Sequence, residues 1–206
     1  MEAIALHHDA HEEEVTSTGI PHDKMGMWVF LCSEVMFFTG LIGSYIVLRF
    51  ATPLWPAPAS VLNIPLTATN TFILICSSVT MVQALGSIRA GNPAKMKLFL
   101  SLTLLFGSIF LSIQAVEYWK LLHEHTVHYP TGFNPHVSLF GSVFFTTTGF
   151  HGFHVFCGVV CIAFVTGKAL LGKYTQASHQ GIETLGLYWH FVDLVWIILF
   201  AIVYLF

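Results

Sequence analysis

Imidazole and carboxyl side chains occur inside apolar stretches of this chain, where they could bind a metal or haem, move protons or join helices. His190 and Asp193 lie in one such stretch, and His151 and His154 lie in another. Ionisable groups at bilayer depth cost on the order of several kcal/mol each and usually face the interior of a helix bundle. The chemistry of the chain therefore depends on what these side chains contact.

Glu34 is a further ionisable group with apolar neighbours, and no Lys or Arg lies at its depth in any apolar stretch. A carboxyl without a cationic partner in lipid is expected to be neutral, or to share a proton with a histidine or a water molecule. Glu34 could therefore be a proton relay or a reactive group. It could equally be a hydrogen-bonded joint between two helices.

The segments that carry these side chains are long enough to cross a membrane. The 206 residues are 55% hydrophobic and 9% charged, whereas a soluble domain carries roughly a quarter of its residues as charged ones. A transmembrane helix needs about 20 consecutive apolar residues. The sequence predicts an all-α membrane protein, a bundle of five transmembrane helices over 25–48, 64–88, 96–119, 138–167 and 182–206.

The first 24 residues are polar and acidic, and we expect a cytoplasmic tail (1–24) before the membrane domain (25–206). No apolar core precedes a small-residue cleavage site, so we do not expect a signal peptide. His7, His8 and His11 beside Asp9 could bind a metal, because short His-rich tracts sometimes do. The alternative is a solvated tail without that function.

Lys and Arg are unevenly shared between the two sides of the predicted bundle. The tail and the loops after the second and fourth spans hold six, and the other side holds only Arg49 and Lys120. Cytoplasmic segments carry the excess of Lys and Arg. The count therefore places the N-terminus inside and the C-terminus outside. At the outer boundary we expect Glu117 to be solvated.

Spacing places the ionisable side chains on common helix faces. His151 and His154 are three residues apart, and Glu183, His190 and Asp193 follow each other by multiples of a helical turn. The fourth and fifth spans are joined by a short loop, so they should be antiparallel neighbours. We expect His151, His154, Glu183, His190 and Asp193 to form an intramembrane polar network at a depth close to that of Glu34.

Such a network has three interpretations. It could ligate a metal or a b-type haem, it could conduct protons, or it could fasten helices within a larger assembly. Against haem, the two paired histidines share one helix, and only one other histidine lies in a span. Against a two-metal carboxylate site, the Glu-x-x-His pairs of facing helices are absent.

Five motifs occur in order, one in each predicted span: Ser33-Glu34, Asn70-Thr71, 114–118 (QAVEY), 148–155 (TGFHGFHV) and 188–196 (YWHFVDLVW). In order and spacing they resemble subunit III of the haem-copper terminal oxidases, in its bacterial five-helix form. The likeness extends from about residue 24 to 206. Longer members have seven helices, and this chain matches the last five of them.

The resemblance implies a subunit without a redox centre. In that family, subunit III packs beside the catalytic subunit I, which holds the haems and copper, reduces oxygen and pumps protons. Subunit III stabilises subunit I, supports proton uptake and holds phospholipid. Glu34 matches a buried carboxyl that reacts with carbodiimides, and Glu34, Trp189 and His190 are candidate lipid contacts.

The expected partners are therefore subunit I as the main contact, subunit II, other respiratory-complex subunits and membrane lipids, but no nucleic acid. The expected location is the bacterial inner (cytoplasmic) membrane, and the expected donor to the complex is cytochrome c. Two alternatives stay open. One is subunit III of a quinol oxidase, and the other is a b-haem or quinone membrane oxidoreductase.

Overall fold

Five long helices form the bundle in the computed structural model, which describes residues 19, 21–53, 55–123, 133–136 and 138–206. Each is long and apolar enough to cross a membrane, as the sequence predicted. They are α1 (His22–Ala51), α2 (Ile64–Arg89), α3 (Pro93–His123), α4 (Leu139–Leu170) and α5 (Gln180–Leu199), with α5 continued by a π-helical turn (Phe200–Leu205). The N-terminal histidine tract lies outside the described residues.

The helix ends follow from local sequence. The residue before a proline disfavours helical geometry, and α1 ends before Thr52, which is extended and precedes Pro53. The Asn63 side chain caps α2 by accepting a hydrogen bond from the Leu66 amide, and the Ser138 hydroxyl caps α4 by accepting one from the Gly141 amide. Gly91 takes φ +72° in the turn between α2 and α3, a conformation that glycine adopts without steric cost.

Hydrogen bonds between side chains show that α2 runs antiparallel to both α3 and α5. Thr67 bonds Glu117 while Thr80 bonds Thr103, so residue numbers rise along α2 as they fall along α3. Thr71 bonds Trp196 while Ser78 bonds His190, which gives the same relation between α2 and α5. These pairs fix which faces of the helices meet.

The Trp189 side chain packs α5 against α3 and α4. Trp189 is fully buried, and its ring lies over Gly107 of α3 and Gly158 of α4. A Cβ atom at Gly107 or Gly158 would lie 2.9 or 2.8 Å from that ring, closer than real contacts allow. Small residues of this kind let helices approach closely where no hydrophobic effect drives them together. α5 is accordingly the most buried span, and α1 is the least buried one.

Candidate functional site

Glu34 and His154 form an ion-pair contact between α1 and α4. Glu34 Oε2 lies 3.0 Å from His154 Nε2, and His154 Nδ1 lies 2.7 Å from the Phe150 carbonyl oxygen. A carbonyl oxygen only accepts, so Nδ1 carries a hydrogen. The contact at Nε2 must then contain one more proton, either on the carboxyl or on the ring. The pair holds that single proton whichever atom carries it.

His190 and Asp193 lie one turn apart on α5 and face the same hydroxyl group of α2. Ser78 Oγ is 2.6 Å from His190 Nδ1, and it also faces the Asp193 carboxyl. Either the ring or the hydroxyl donates the hydrogen bond to the other, according to the tautomer of His190. Ser78 thus lies between the His190 ring, to which it is hydrogen-bonded, and the Asp193 carboxyl, which it faces.

The polar side chains of α5 are satisfied mainly by α2, and not by α4 as the sequence had suggested. Trp189 Nε1 donates to Ser77 Oγ at 3.0 Å, and Trp196 Nε1 donates to Thr71 Oγ1 at 2.9 Å. The link to α4 is the Tyr188 hydroxyl, which donates to the His154 carbonyl oxygen at 2.9 Å. The polar and aromatic side chains of 188–196 therefore bind α5 to α2 more than to the histidines of α4.

His151 is fully enclosed by aromatic rings. Its ring stacks on Trp196, with ring centres 4.8 Å apart, and it meets Phe110 edge to face. Within the described part of the chain, neither ring nitrogen of His151 has a hydrogen-bond partner. His151 thus packs apart from the pair that His154 forms one turn away. The predicted network is not continuous at this point.

Glu183 was expected in the same network, but the structure places it at one end of the bundle. Its carboxyl pairs with Lys24 Nζ at 2.5 Å and with Arg89 Nη2 at 3.1 Å. Glu183 lies in the first turn of α5, about 10 Å along the axis from His190. It therefore ties together α1, α2 and α5 near the membrane surface instead of extending the deeper polar groups.

Of the three candidate lipid contacts, Trp189 is excluded by burial. Its indole lies wholly inside the bundle between α3 and α4, because the glycines there leave room for the ring. Glu34 and His190 are each partly exposed on the surface of the chain. Contact between lipid and those two side chains stays a prediction.

Glu117 was missed by the sequence reasoning, which expected it to be solvated. It is 4% exposed, and its carboxyl accepts a hydrogen bond from Thr67 Oγ1 at 3.0 Å. The Tyr204 hydroxyl, in the π-helical turn, faces both Glu117 and Gln114. The chain therefore buries a second carboxyl cluster between α2, α3 and the end of α5, away from the Glu34 pair.

A sequence signal for the α2 partners does exist. Trp189 and Trp196 are seven residues apart and lie on one helix face, and their acceptors Ser77 and Thr71 are six residues apart on α2. Hydroxyl side chains at about the same spacing on an antiparallel helix can accept from both indoles. No comparable signal marks Glu117, because its burial depends on Tyr204 of a distant segment.

Across the residues that the structure describes, no three His, Cys, Asp or Glu side chains are grouped so as to hold an ion. His123 stacks on Trp119, and the other loop histidines at 125 and 128 lie outside the described residues. The fold and the site thus define a polytopic helical membrane protein whose buried polar groups pair between helices.

Comparisons with known proteins make this assignment specific. The family model described as cytochrome c oxidase subunit III matches residues 3–206. The cytochrome c oxidase subunit 3 of Synechocystis is 38% identical over 190 residues, covering 91% of this chain and 77% of that protein. That of Corynebacterium diphtheriae is 39% identical over 184 residues, covering 88% and 86%. That of Thermostichus vulcanus is 33% identical over 204 residues, covering 98% and 93%. The chain belongs to the cytochrome c oxidase subunit III family.

Proposed function

We propose that this chain is a non-catalytic subunit of a proton-pumping cytochrome c oxidase, where it stabilises subunit I and supports proton uptake. The observation that carries the proposal is the family match over residues 3–206. We place it in a bacterial cytoplasmic membrane with its N-terminus inside, on the excess of Lys and Arg in the tail and in the loops after α2 and α4.

The proposed contact with subunit I uses the apolar outer faces of the bundle. Large hydrophobic side chains are exposed along α1 and α4, among them Val47, Phe153, Phe156 and Phe164. α1 is the least buried of the five spans within this chain. Surfaces of this kind are covered in a membrane either by acyl chains or by a partner helix, and the partners proposed here are subunits I and II.

Support for a role in proton uptake comes from the Glu34–His154 pair. It holds one proton at a contact of 3.0 Å, and both side chains keep some exposure, 17% for Glu34 and 14% for His154. A group that feeds protons to a neighbour must be able to bind and release one without leaving a bare charge in lipid. The pair stays neutral while its proton moves between nitrogen and oxygen, and it would stay neutral during transfer if a second proton arrived as the first one left.

The haems and the copper of such a complex are assigned to partner subunits. The three histidines inside the spans are already engaged or enclosed: His151 by Trp196, His154 by Glu34, and His190 by Ser78. Ligating a haem would require breaking these contacts. Hydrogen-bonded and aromatic surroundings of this kind suit helix packing and proton transfer better than metal binding.

A comparison of the oxidase with and without this chain tests the proposal. The two complexes are purified from a deletion strain and from the same strain complemented with the chain, and both are reconstituted into liposomes. We expect the depleted complex to be recovered in lower yield, to take up protons more slowly per turnover and to lose activity sooner. Equal yield, uptake and lifetime in the two preparations would contradict the proposal.

A further inference from the structure

Three side chains meet at the end of the bundle where α2 begins and α5 ends, and four of their polar atoms are buried there. These atoms are Glu117 Oε2, the Tyr204 hydroxyl and both amide atoms of Gln114, and none has a hydrogen-bond partner in the part of the chain that the structure describes. Glu117 is 4% exposed, Tyr204 1% and Gln114 5%. Buried polar groups are rarely left without a partner, so we expect each of these atoms to have one.

The hydrogens of the neighbouring side chains do not satisfy the free acceptors. Thr67 has one hydroxyl hydrogen, and its contacts with Glu117 Oε1 at 3.0 Å and with the Asn63 carbonyl at 3.1 Å already use it. The Tyr204 oxygen faces the Gln114 amide, which can donate to it. The hydroxyl hydrogen of Tyr204 then still needs an acceptor, and Glu117 Oε2 and Gln114 Oε1 still need donors.

The π-helical turn at the end of α5 determines where the Tyr204 hydroxyl lies. Such turns are rare and frequently occur at functional sites. Here the turn buries the Tyr204 ring, which packs on Trp196 and Phe144 with ring centres 6.1 and 5.8 Å apart. Because these rings hold Tyr204 in place, its hydroxyl keeps its separation from the Glu117 carboxyl instead of bonding it directly.

The free atoms require a small ligand that both donates and accepts hydrogen bonds. A metal cation would bind the oxygens of Glu117 and Gln114, but it would leave the hydroxyl hydrogen of Tyr204 without an acceptor. Water has two hydrogens and two lone pairs, and a buried water molecule typically makes about three hydrogen bonds. One acceptor for Tyr204 and two hydrogens for the two free oxygens match that number.

We propose that a water molecule is bound between these side chains, where it accepts a hydrogen bond from the Tyr204 hydroxyl and donates to Glu117 Oε2 and Gln114 Oε1. Polar groups that face each other beyond direct hydrogen-bond distance are commonly bridged in this way. The bound water links α3 to the π-helical turn, and the Thr67 hydroxyl links the same carboxyl to α2. This site is separate from the Glu34–His154 pair.

A cryo-EM map of the intact complex, at a resolution that shows ordered water, tests the site without any substitution. We expect a density peak about 2.5–3.0 Å from the Tyr204 hydroxyl oxygen, Glu117 Oε2 and Gln114 Oε1. A direct bond from Tyr204 to Glu117 Oε2, with no peak between the three side chains, would overturn the proposal. A peak with several oxygen ligands at about 2.4 Å would also overturn it, because that distance indicates a metal cation.

The Tyr204→Phe variant tests the proposed donor, because it removes one hydroxyl and preserves the ring. Tyr188→Phe is the matched control, since the Tyr188 hydroxyl donates to the His154 carbonyl oxygen. We expect the peak to disappear from the map of Tyr204→Phe and to remain in that of Tyr188→Phe. The opposite result, or a peak that both variants keep, would contradict the proposal. If Tyr204→Phe fails to assemble, the map of the unsubstituted complex still decides.

Discussion

Glu34 Oε2 and His154 Nε2, on different helices, are 3.0 Å apart, and the Phe150 carbonyl on the other side of the ring fixes one proton in this contact. The pair also attaches α1, the least buried span, to α4 at mid-membrane. A second attachment joins Lys24 of α1 to Glu183 of α5 nearer the surface. These two polar contacts orient α1 on the bundle and leave most of its apolar surface for partners.

Carbodiimide labelling should distinguish Glu34 from Glu117. We expect a hydrophobic carbodiimide to modify Glu34, whose side chain is 17% exposed, and to spare Glu117, which is enclosed between α2 and α3. Peptide mass spectrometry of the labelled complex identifies the modified residue. Labelling of Glu117 at the rate of Glu34 would show that the second cluster is open to lipid.

The Glu34→Gln variant should assemble normally, because the glutamine amide can donate to His154 Nε2 in place of the shared proton. We expect it to keep oxygen reduction and to lose carbodiimide reactivity at this position. Oxygen consumption of the purified complex gives the readout. Complete loss of oxygen reduction in a correctly assembled complex would mean that the non-catalytic role assigned to this chain is wrong.

Substitution of Asp193 should loosen the contact between α5 and α2. Asp193→Leu removes the buried carboxyl that faces the Ser78 hydroxyl, at a cost of about 1–3 kcal/mol. Asp193→Asn retains a hydrogen-bonding side chain of the same shape and is the control. Thermal unfolding of the complex should place Asp193→Leu below both wild type and Asp193→Asn. Identical midpoints for the two variants would show that Asp193 does not stabilise the contact between α5 and α2.

The glycines beneath Trp189 give a packing test with an internal control. An added Cβ at Gly107 or Gly158 would lie within 3 Å of the ring, so alanine at either position should destabilise by about 1–3 kcal/mol. Gly152→Ala is the control, since a Cβ added there would meet no neighbouring atom within 4 Å and alanine favours the helix. A thermal midpoint for Gly158→Ala at or above that of Gly152→Ala would contradict the close packing of Trp189 on Gly158.

Glu117 should be required for the second buried cluster. Glu117→Leu removes the carboxyl that accepts a hydrogen bond from the Thr67 hydroxyl and that the Tyr204 hydroxyl faces. We expect this loss to lower the free energy of unfolding by about 1–3 kcal/mol. Glu117→Gln keeps an acceptor oxygen and should cost less. Chemical or thermal unfolding of the complex compares the two variants, and equal stability would show that Glu117 makes no net contribution.

The five spans could be predicted because hydropathy and segment length alone decide whether a helix crosses a membrane. The rotation of each helix about its own axis could not be predicted in this way, because it depends on which helix faces meet. Spacing predicted a common face for His190 and Asp193, but the hydrogen-bond partner of His190 is Ser78 of α2 instead of a histidine of α4. Spacing along one helix does not identify the neighbour on the other side of the contact.

Depth was the second quantity that sequence position could not supply. Glu117 was expected at the solvated boundary because Tyr118 and Trp119 follow it. The structure buries it because α3 continues to His123 and the π-helical turn brings Tyr204 over it. Glu183 shows the opposite error, since it shares a helix face with Asp193 and yet lies in the first turn of α5 with Lys24 and Arg89.

The most direct test of the central claim is an absorbance spectrum of the affinity-tagged chain, recorded first in the complex purified from membranes and again after the chain has been separated from its partners. We predict reduced-minus-oxidised haem bands in the complex, together with subunits I and II on mass spectrometry, and no haem absorbance in the separated chain. A Soret band that stays with the separated chain and disappears in His151→Ala or His190→Ala would contradict the account.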